Sequence, residues 1–323
     1  MSEGGVPAIS AIVVTHRGGD LLSDCLRSLA AQSHPLDEVL VVVSNHPLAV
    51  EAPRVLQLGE NVGYARAANA GVAATRGEIL LLNDDTRLDR GCVAALVAAW
   101  RGPGVYQPRI RLADGSGRLD NAGLGFLPDG SVWARGRNGP DVAIGGPPGA
   151  FSGAAVLIDR ASWTRAGGFD ERFGNFCEDV DLSLRLHRRG VPFVSVPDAL
   201  VEHHLGASWG RVSAEKVRLL ERNRLRAAVR SLPAAALLTL LPATFARYGL
   251  YAALAATGRG PGGPVPTGAR TAALVGLAQG LGDSPTWWAS RRGDRPHWTV
   301  DDRAMWERMW AGRARWEDLW RPG

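Results

Sequence analysis

Cysteine is nearly absent from the chain: Cys25, Cys92 and Cys177 are the only three in 323 residues, far apart, odd in number and without metal-ligand spacing. That excludes a disulfide scaffold, fits a reducing cytosol, and leaves the thiols to pack as small apolar groups. Lysine is scarcer still. Lys216 stands alone, so arginine carries almost all the cationic charge behind a formal net charge of +5. Such a surface attracts polyanions, and guanidinium forks suit phosphate and carboxylate groups. A coding bias toward arginine accounts for the skew equally well, and nucleic acid is not an expected partner. Met1 and the residues up to Ala8 hold no basic region followed by an apolar run, so no secretory signal is read there and a cytoplasmic location is expected. The longest apolar stretch, residues 232–257, is broken by Pro233, Pro242 and Arg247, which argues against a simple spanning helix. The 40 glycines and 20 prolines follow no period, and no internal duplication signals a solenoid or propeller. With 46% hydrophobic and 21% charged residues, the chain can bury a large core in one big domain or two.

From Ile9 to Asp85, short β-rich apolar runs alternate with helical spacing, the pattern of a parallel sheet with helical crossovers. Residues 10–15, 39–43, 54–58 and 78–82 read as strands. Leu22, Leu26 and Leu29 recur at helical spacing until Ser33, His34 and Pro35 stop them, and 64–75 reads as a helix whose small residues allow close packing. Ligands of open α/β sheets sit at the carboxyl ends of strands, where Thr15, Ser44 and Asp85 fall. Residues 102–149, rich in Gly, Asp and Arg, read as loops with a hairpin; 154–158, 193–196 and 199–202 read as further strands. Within 178–190, Val180, Leu182, Leu184 and Leu186 alternate as in a strand, yet leading acids and the closing Arg188, Arg189 and Gly190 mark helix ends, so a helix is predicted. A charged amphipathic helix covers 213–231. Residues 232–257 read either as a buried helix pair or as an interfacial segment that meets lipid. A Gly/Pro hinge at 258–268 leads to a tail with seven of the eleven tryptophans. Trp306 and Trp310, then Trp316 and Trp320, fall on one helix face that something must cover. Packing back on the protein is expected before membrane contact, because the tail's acids offset most of its arginines.

Three motifs carry chemistry. Asn83-Asp84-Asp85-Thr86 follows a buried strand, where carboxylates can hold a hard divalent cation against a diphosphate; taken alone, adjacent acids also read as an Asx turn. Asp170 and Glu171, then Glu178, Asp179 and Asp181, crowd acids into a short span. Like charges that close raise each other's proton affinity unless a cation intervenes, which suits a general base; the bland alternative is a solvated helix N-terminus. The pair His203-His204 follows a strand, a position as common for structural as for metal-binding histidines.

Together and in this order, the motifs resemble the inverting glycosyltransferases of family two, especially their bacterial rhamnosyltransferase-like branch. The resemblance covers about residues 10–226. It rests on Ala11-Ile12-Val13-Val14-Thr15, on Asn61-Val62-Gly63-Tyr64-Ala65 with Asn69 and Gly71, on Asn83-Asp84-Asp85, on Gly167-Gly168-Phe169-Asp170-Glu171, on Glu178-Asp179-Val180-Asp181-Leu182, and on His203. It implies an α/β GT-A fold: a Rossmann-like, mostly parallel sheet with helices on both faces, plus a helical C-terminal extension. The catalytic domain is expected over 1–230, with a donor-binding half at about 9–100 and an acceptor and catalytic half at about 101–230; a tryptophan-rich helical extension takes 231–323. The resemblance further implies a nucleotide-sugar donor, a Mg²⁺ or Mn²⁺ ion on its diphosphate, and an acidic base that deprotonates an acceptor hydroxyl. Asp85 matches the metal-facing acid and His203 a histidine that can ligate the ion. Asp179 matches the base, with Glu178 beside it. Thr15, Ser44, Asn61, Gly63, Asn69, Asn83 and Asp84 border the nucleotide and donor sugar.

The implied reaction is in-line transfer with inversion from a donor such as dTDP-rhamnose to a lipid-linked saccharide or other cell-envelope glycan; peripheral contact at the inner face of the membrane is a separate expectation, raised by the apolar run after residue 232 and the tryptophan face. One position departs from the family pattern: the second strand commonly ends in an Asp that contacts the nucleotide, whereas here Ser44 follows Val43. That departure motivates a rival reading, a catalytically silent member that binds glycan or membrane partners. A dinucleotide-dependent oxidoreductase is disfavoured, because Thr15-His16-Arg17-Gly18-Gly19 is not a Gly-x-Gly-x-x-Gly turn.

Overall fold

The computed structural model describes residues 7–45, 47, 49, 51–204, 213–256, 267–314 and 318. The chain begins with β1 (Ile9–Thr15), α1 (Asp20–Ala30), β2 (Glu38–Val43), β3 (Val55–Gln57), α2 (Tyr64–Ala74), β4 (Glu78–Asn83), β5 (Thr86–Leu88) and α3 (Cys92–Ala99). There follow β6 (Val105–Leu112), β7 (Leu119–Asn121), β8 (Leu124–Phe126), β9 (Val132–Ala134), β10 (Ala155–Ile158), α4 (Arg160–Ala166), α5 (Glu178–Arg188) and β11 (Phe193–His203). Helices α6 (Ala214–Ser231), α7 (Ala234–Ala256), α8 (Ala269–Gly282), α9 (Ser284–Asp294) and α10 (Asp302–Ala311) complete the described elements.

The main sheet runs β3-β2-β1-β4-β10-β6-β11-β5, with β7 beside β6. Strands β1 to β4 are parallel, as are β6 and β11, whereas β10 and β5 run against their neighbours. Only Asp84 and Asp85 join β4 to β5, yet the two strands stand at distant places in this order, so the sheet curls until β5 meets the end of β4. That curl puts the acidic turn beside the last residue of β11, because Thr86 pairs with His203.

Alternate residues of the buried strands feed two cores. Ala11, Val13, Val41, Val43, Leu80 and Leu82 pack with Leu22, Cys25 and Leu29 of α1 and with Cys92, Val93 and Leu96 of α3. Ile12, Val14, Leu40, Val42, Ile79 and Leu81 meet the alanines of α2, Trp163 of α4 and Leu182 and Leu186 of α5. Each such aliphatic side chain contributes roughly 1.5–3 kcal/mol on burial, which is what holds helices to both faces. The small residues of α2 are a packing requirement: a Cβ on Gly71 would lie 2.6 Å from Ile12 Cγ2 and 2.8 Å from Val42 Cγ2. All three cysteines are free and buried.

Three expectations need correction. Residues 102–149 contain more than loops and a hairpin, for β6 is an eight-residue strand of the main sheet and β7 pairs with it. The two strands read at 193–196 and 199–202 are one, β11, with its register to β6 shifted between Val196 and Leu200. The stretch 232–257 is not a helix pair: α7 runs through Pro242 unbroken, burying Ala236, Leu240 and Thr244 and leaving Leu238 82% and Phe245 62% exposed. Its one charge, Arg247, turns inward to Asp129 and Glu221. Among the described residues no helix is long and apolar enough to cross a membrane. Trp306 and Trp310 stack on the half-exposed side of α10 while Met305 and Met309 face inward. Trp316, Trp320 and residues 258–266 of the expected hinge lie outside the described residues.

The C-terminal helices are clamped to the sheet domain through α6, whose Arg226 pairs with Asp283 and whose Arg230 pairs with Asp294. On α5, His187 is buried against Phe193 and donates from Nε2 to Gly149 O, which leaves Nδ1 without a partner. Burial pushes its pKa down to about 4; the Gly149 bond opposes and the Arg308 charge assists. Between that value and the unfolded pKa of about 6.5, the unfolded chain binds the extra proton, so stability falls as pH drops through this window. Urea unfolding midpoints from pH 7.5 to 4.5 should decline in the wild type and decline less in His187→Gln.

Candidate active site

At the carboxyl edge of the sheet, Thr15, Ser44 and Asn83 end or follow three adjacent parallel strands, since Thr15 pairs with Val43 and Val14 with Asn83. Thr15 Oγ1 donates to Asp84 Oδ2 at 2.5 Å and accepts from Gly18 N, tying the loop after β1 to the acidic turn. Asp84 is held up at about 6 by burial and by the charge of Asp85, with the Thr15 bond opposing. Ser44 Oγ accepts from Val62 N, and Asn61 Oδ1 accepts from Gly63 N. These bonds brace the segment entering α2. Gly63, at φ +81, starts that helix within 3.5 Å of Gly174 O as measured from a Cβ built on it, so this entry is reserved for glycine. Asn69 is a clasp: its amide donates to Phe169 O and accepts from Phe169 N, so the side chain is spent joining α2 to the loop after α4.

The N-terminus of α5 supplies the second group of acids. Phe176 and Cys177 precede it with φ of 69° and 64°, a left-handed pair that non-glycine residues adopt at a cost of about 1–3 kcal/mol each. This turn aims Glu178 and Asp179 toward the cleft. Asp179 Oδ2 accepts from Gly153 N at 3.1 Å and Oδ1 from Val180 N at 2.8 Å. Glu178 is buried and its Oε2 has no hydrogen-bond partner. Burial raises both carboxyls. Glu178 goes well above its ordinary range because the charge of Asp179 adds to burial, while backbone N–H donors restrain Asp179. Of the two, Glu178 therefore holds a proton more tightly than Asp179. Tyr64 closes the arrangement, its hydroxyl donating to Gly153 O at 2.9 Å. Burial first, and then the neighbouring acids Glu178, Asp179, Asp85 and Asp84, hold the phenol far above its usual range, which makes it a fixed donor among them.

Across the cleft, His203 lies between two carboxylates. Its Nδ1 is 2.7 Å from Asp120 Oδ2, and its Nε2 is 3.2 Å from Asp85 Oδ1. Burial works against the imidazolium, but the two carboxylates overcome it and raise the ring to about 10. Asp85 Oδ1 is buried and outside hydrogen-bond alignment with any partner. An orphaned carboxylate oxygen facing an imidazole nitrogen, with the opposite ring nitrogen on a second carboxylate, fits a divalent cation's donor preferences. Among the described residues no group of three or more His, Cys, Asp and Glu side chains forms a ready-made metal cage. A cation here would need oxygens from a bound ligand, as Mg²⁺ commonly takes them from phosphates.

The structure thus gathers Asp84, Asp85, Glu178, Asp179 and His203 around one cleft, with Thr15, Ser44, Asn61 and Gly63 bracing its sheet edge. Three participants were not read from the sequence. Tyr64 lay inside a recognised motif but was given no role, Gly153 acts only through its backbone, and Asp120 sits on β7 in the stretch read as loops.

Residues 10–141 match the family model for glycosyl transferase family 2, and residues 78–251 match that for glycosyl transferase family group 2. The chain is 30% identical over 247 residues to the N-acetylglucosaminyl-diphospho-decaprenol L-rhamnosyltransferase of Mycobacterium tuberculosis (strain CDC 1551 / Oshkosh), covering 63% of this chain and 78% of that protein. It is 31% identical over 232 residues to the O-antigen biosynthesis protein RfbC of Myxococcus xanthus, covering 63% of this chain but 18% of that protein. Among solved structures it resembles GalNAc-T7 with UDP, GalNAc and Mn²⁺, at a TM-score of 0.57 and 14% identity over 74% of this chain; it spans 50% of that one. It also resembles the mannosyltransferase PcManGT of Pyrobaculum calidifontis in complex with GDP-Man and Mn²⁺, at 0.51 and 18% identity over 90% of this chain and 86% of that one. These structural likenesses show the GT-A fold.

Proposed function

The chain belongs to glycosyl transferase family 2, in its rhamnosyltransferase-like branch, and from that membership we propose an inverting sugar transfer from a nucleoside-diphosphate donor to a hydroxyl of a lipid-linked saccharide or other cell-envelope glycan. The donor favoured is dTDP-rhamnose, and the acceptor class follows the named substrate of the mycobacterial relative. The catalytic unit is proposed over residues 1–230, with the donor held by 9–100 and the acceptor by 101–230, and the extension over 231–323. The observation that carries this reading is the placement of Asp179: a carboxylate held by two backbone N–H groups at the mouth of α5, with the buried Glu178 carboxyl beside it.

In this reading Asp179 takes the proton of the acceptor hydroxyl as its oxygen forms a bond to the anomeric carbon, while the bond from that carbon to the diphosphate oxygen breaks. Glu178 keeps charge off the neighbouring site, and Tyr64 fixes Gly153 so that its N–H steers Asp179 Oδ2. Thr15, Ser44, Asn61, Gly63, Asn83 and Asp84 border the nucleotide, with Asn69 supporting them from behind. A Mg²⁺ or Mn²⁺ ion held by Asp85 and His203 would neutralise the leaving diphosphate when bound. The outer side of α7 supports membrane contact: Ala235, Leu238, Thr239, Pro242, Phe245, Ala246 and Gly249 are exposed and uncharged along it.

Two measurements check the proposal. Asp179→Asn should retain donor binding while transfer falls by roughly two to four orders of magnitude, the range usual for loss of a general base. Glu178→Gln should cost much less; a dead Glu178→Gln beside an active Asp179→Asn would move the base one residue back. The protein should sediment with anionic vesicles, and Leu238→Asp with Phe245→Asp should release it. A wild type left wholly in the supernatant would remove the membrane contact.

A further inference from the structure

Asp120 is the most deeply embedded carboxylate facing the cleft, with its side chain 3% exposed, and it belongs to no motif of the chain. Its two oxygens are divided. Oδ1 pairs with Arg137, across from it on the chain returning from β9, and Oδ2 takes the Nδ1 hydrogen of His203 at 2.7 Å. The contact is made by sheet topology: β7 pairs with one side of β6 through Ile110 and Asn121, while β11 pairs with the other, setting His203 opposite Leu112. An imidazole whose Nδ1–H is spent on a buried carboxylate has one ring orientation and, once it loses its second proton, one free lone pair, on Nε2. That nitrogen points at the orphaned Oδ1 of Asp85.

We infer that Asp120 is a positioning residue for divalent-cation binding, fixing the tautomer and direction of His203 so that Nε2 and Asp85 Oδ1 would present a paired donor set to a divalent cation. The inference rests on the proposed glycosyltransferase reading, in which Asp85 and His203 hold that cation. Carboxylates behind a ligating histidine generally change metal affinity by 10- to 100-fold when removed.

The test is calorimetric titration of Mn²⁺ into the full chain saturated with a nucleoside diphosphate, dTDP or UDP, whichever the wild type binds. Asp120→Asn and His203→Ala should each weaken Mn²⁺ by 10- to 100-fold, and the double variant should be no weaker than His203→Ala alone. A merely structural Asp120 would instead give additive losses, or none in metal affinity, and either result overturns the inference while leaving the reaction class intact. If the wild type binds nucleoside diphosphate equally well with excess chelator, the metal reading itself falls and the inference with it. Because the Asp120 variant risks unfolding, the wild type supplies a second measurement. In the complex with Mg²⁺ and nucleoside diphosphate, ¹H–¹⁵N correlation of the His203 ring should show hydrogen on Nδ1 and none on Nε2, and the opposite tautomer contradicts the assignment.

Discussion

The fully buried carboxylate of Asp181 is the constraint on which the site depends. It accepts from Arg185 one turn along α5 and from Arg230 of α6 at 3.2 Å, and the same Arg230 reaches Asp170 in the loop after α4 and Asp294 in α9. One guanidinium thus ties together the helix that carries Glu178 and Asp179, the loop clasped by Asn69, and the C-terminal extension. Arginine is suited to this because its planar fork serves several acceptors without losing its charge. Removing one member of such a buried set leaves an uncompensated charge, at a cost of about 3–5 kcal/mol, so the arrangement is more a device for fixing geometry than a net source of stability. A second set of the same kind, Arg224 and Arg247 around Glu221 and Asp129, fixes α7 to α6 and to the β8–β9 hairpin.

With the scaffold held in this way, the cleft can tolerate acids that repel one another. Five carboxyls, Asp120 included, and a phenol share it, and the structure relieves the repulsion locally: Glu178 holds its proton tightly, Asp84 is braced by Thr15, and Asp85 has His203 beside it. Each solution leaves a buried oxygen or a raised proton affinity, which are costs a merely structural cluster would not retain. The left-handed residues Phe176 and Cys177 add backbone strain at the same place. The two apolar cores of the sheet outweigh these costs, being built from strands such as β1 that are buried along their whole length.

Much of this was legible in the sequence because buried parallel strands are continuous apolar runs and the acids follow them directly, as Asn83-Asp84-Asp85 follows β4. The strand-like alternation of Val180, Leu182, Leu184 and Leu186 has a helical explanation: Val180 and Leu184 face the core shared with α6, whereas Leu182 and Leu186 face the sheet. Two stripes four residues apart, interleaved, imitate period two. What could not be read was non-local. Strand β6 hides behind Gln107, Arg109 and Arg111, and the two arginines pair with Asp141 and Glu202, far along the chain. Asp120 looked like a loop residue because its partner His203 is 83 residues away and is brought near only by the pairing of β7 and β11 around β6. The apolar run of 232–257 is plain in the sequence, but Pro242 and Arg247 hide its single continuous helix, since the inward partners of Arg247, Asp129 and Glu221, lie far along the chain.

The central claim is a single displacement at the anomeric carbon with Asp179 as the base. The most direct test is the configuration of the newly formed glycosidic bond, read from the one-bond carbon–hydrogen coupling at the anomeric centre of the product made from a donor of known configuration. The account predicts a product of opposite anomeric configuration to the donor. A product that retains the donor's configuration would contradict it.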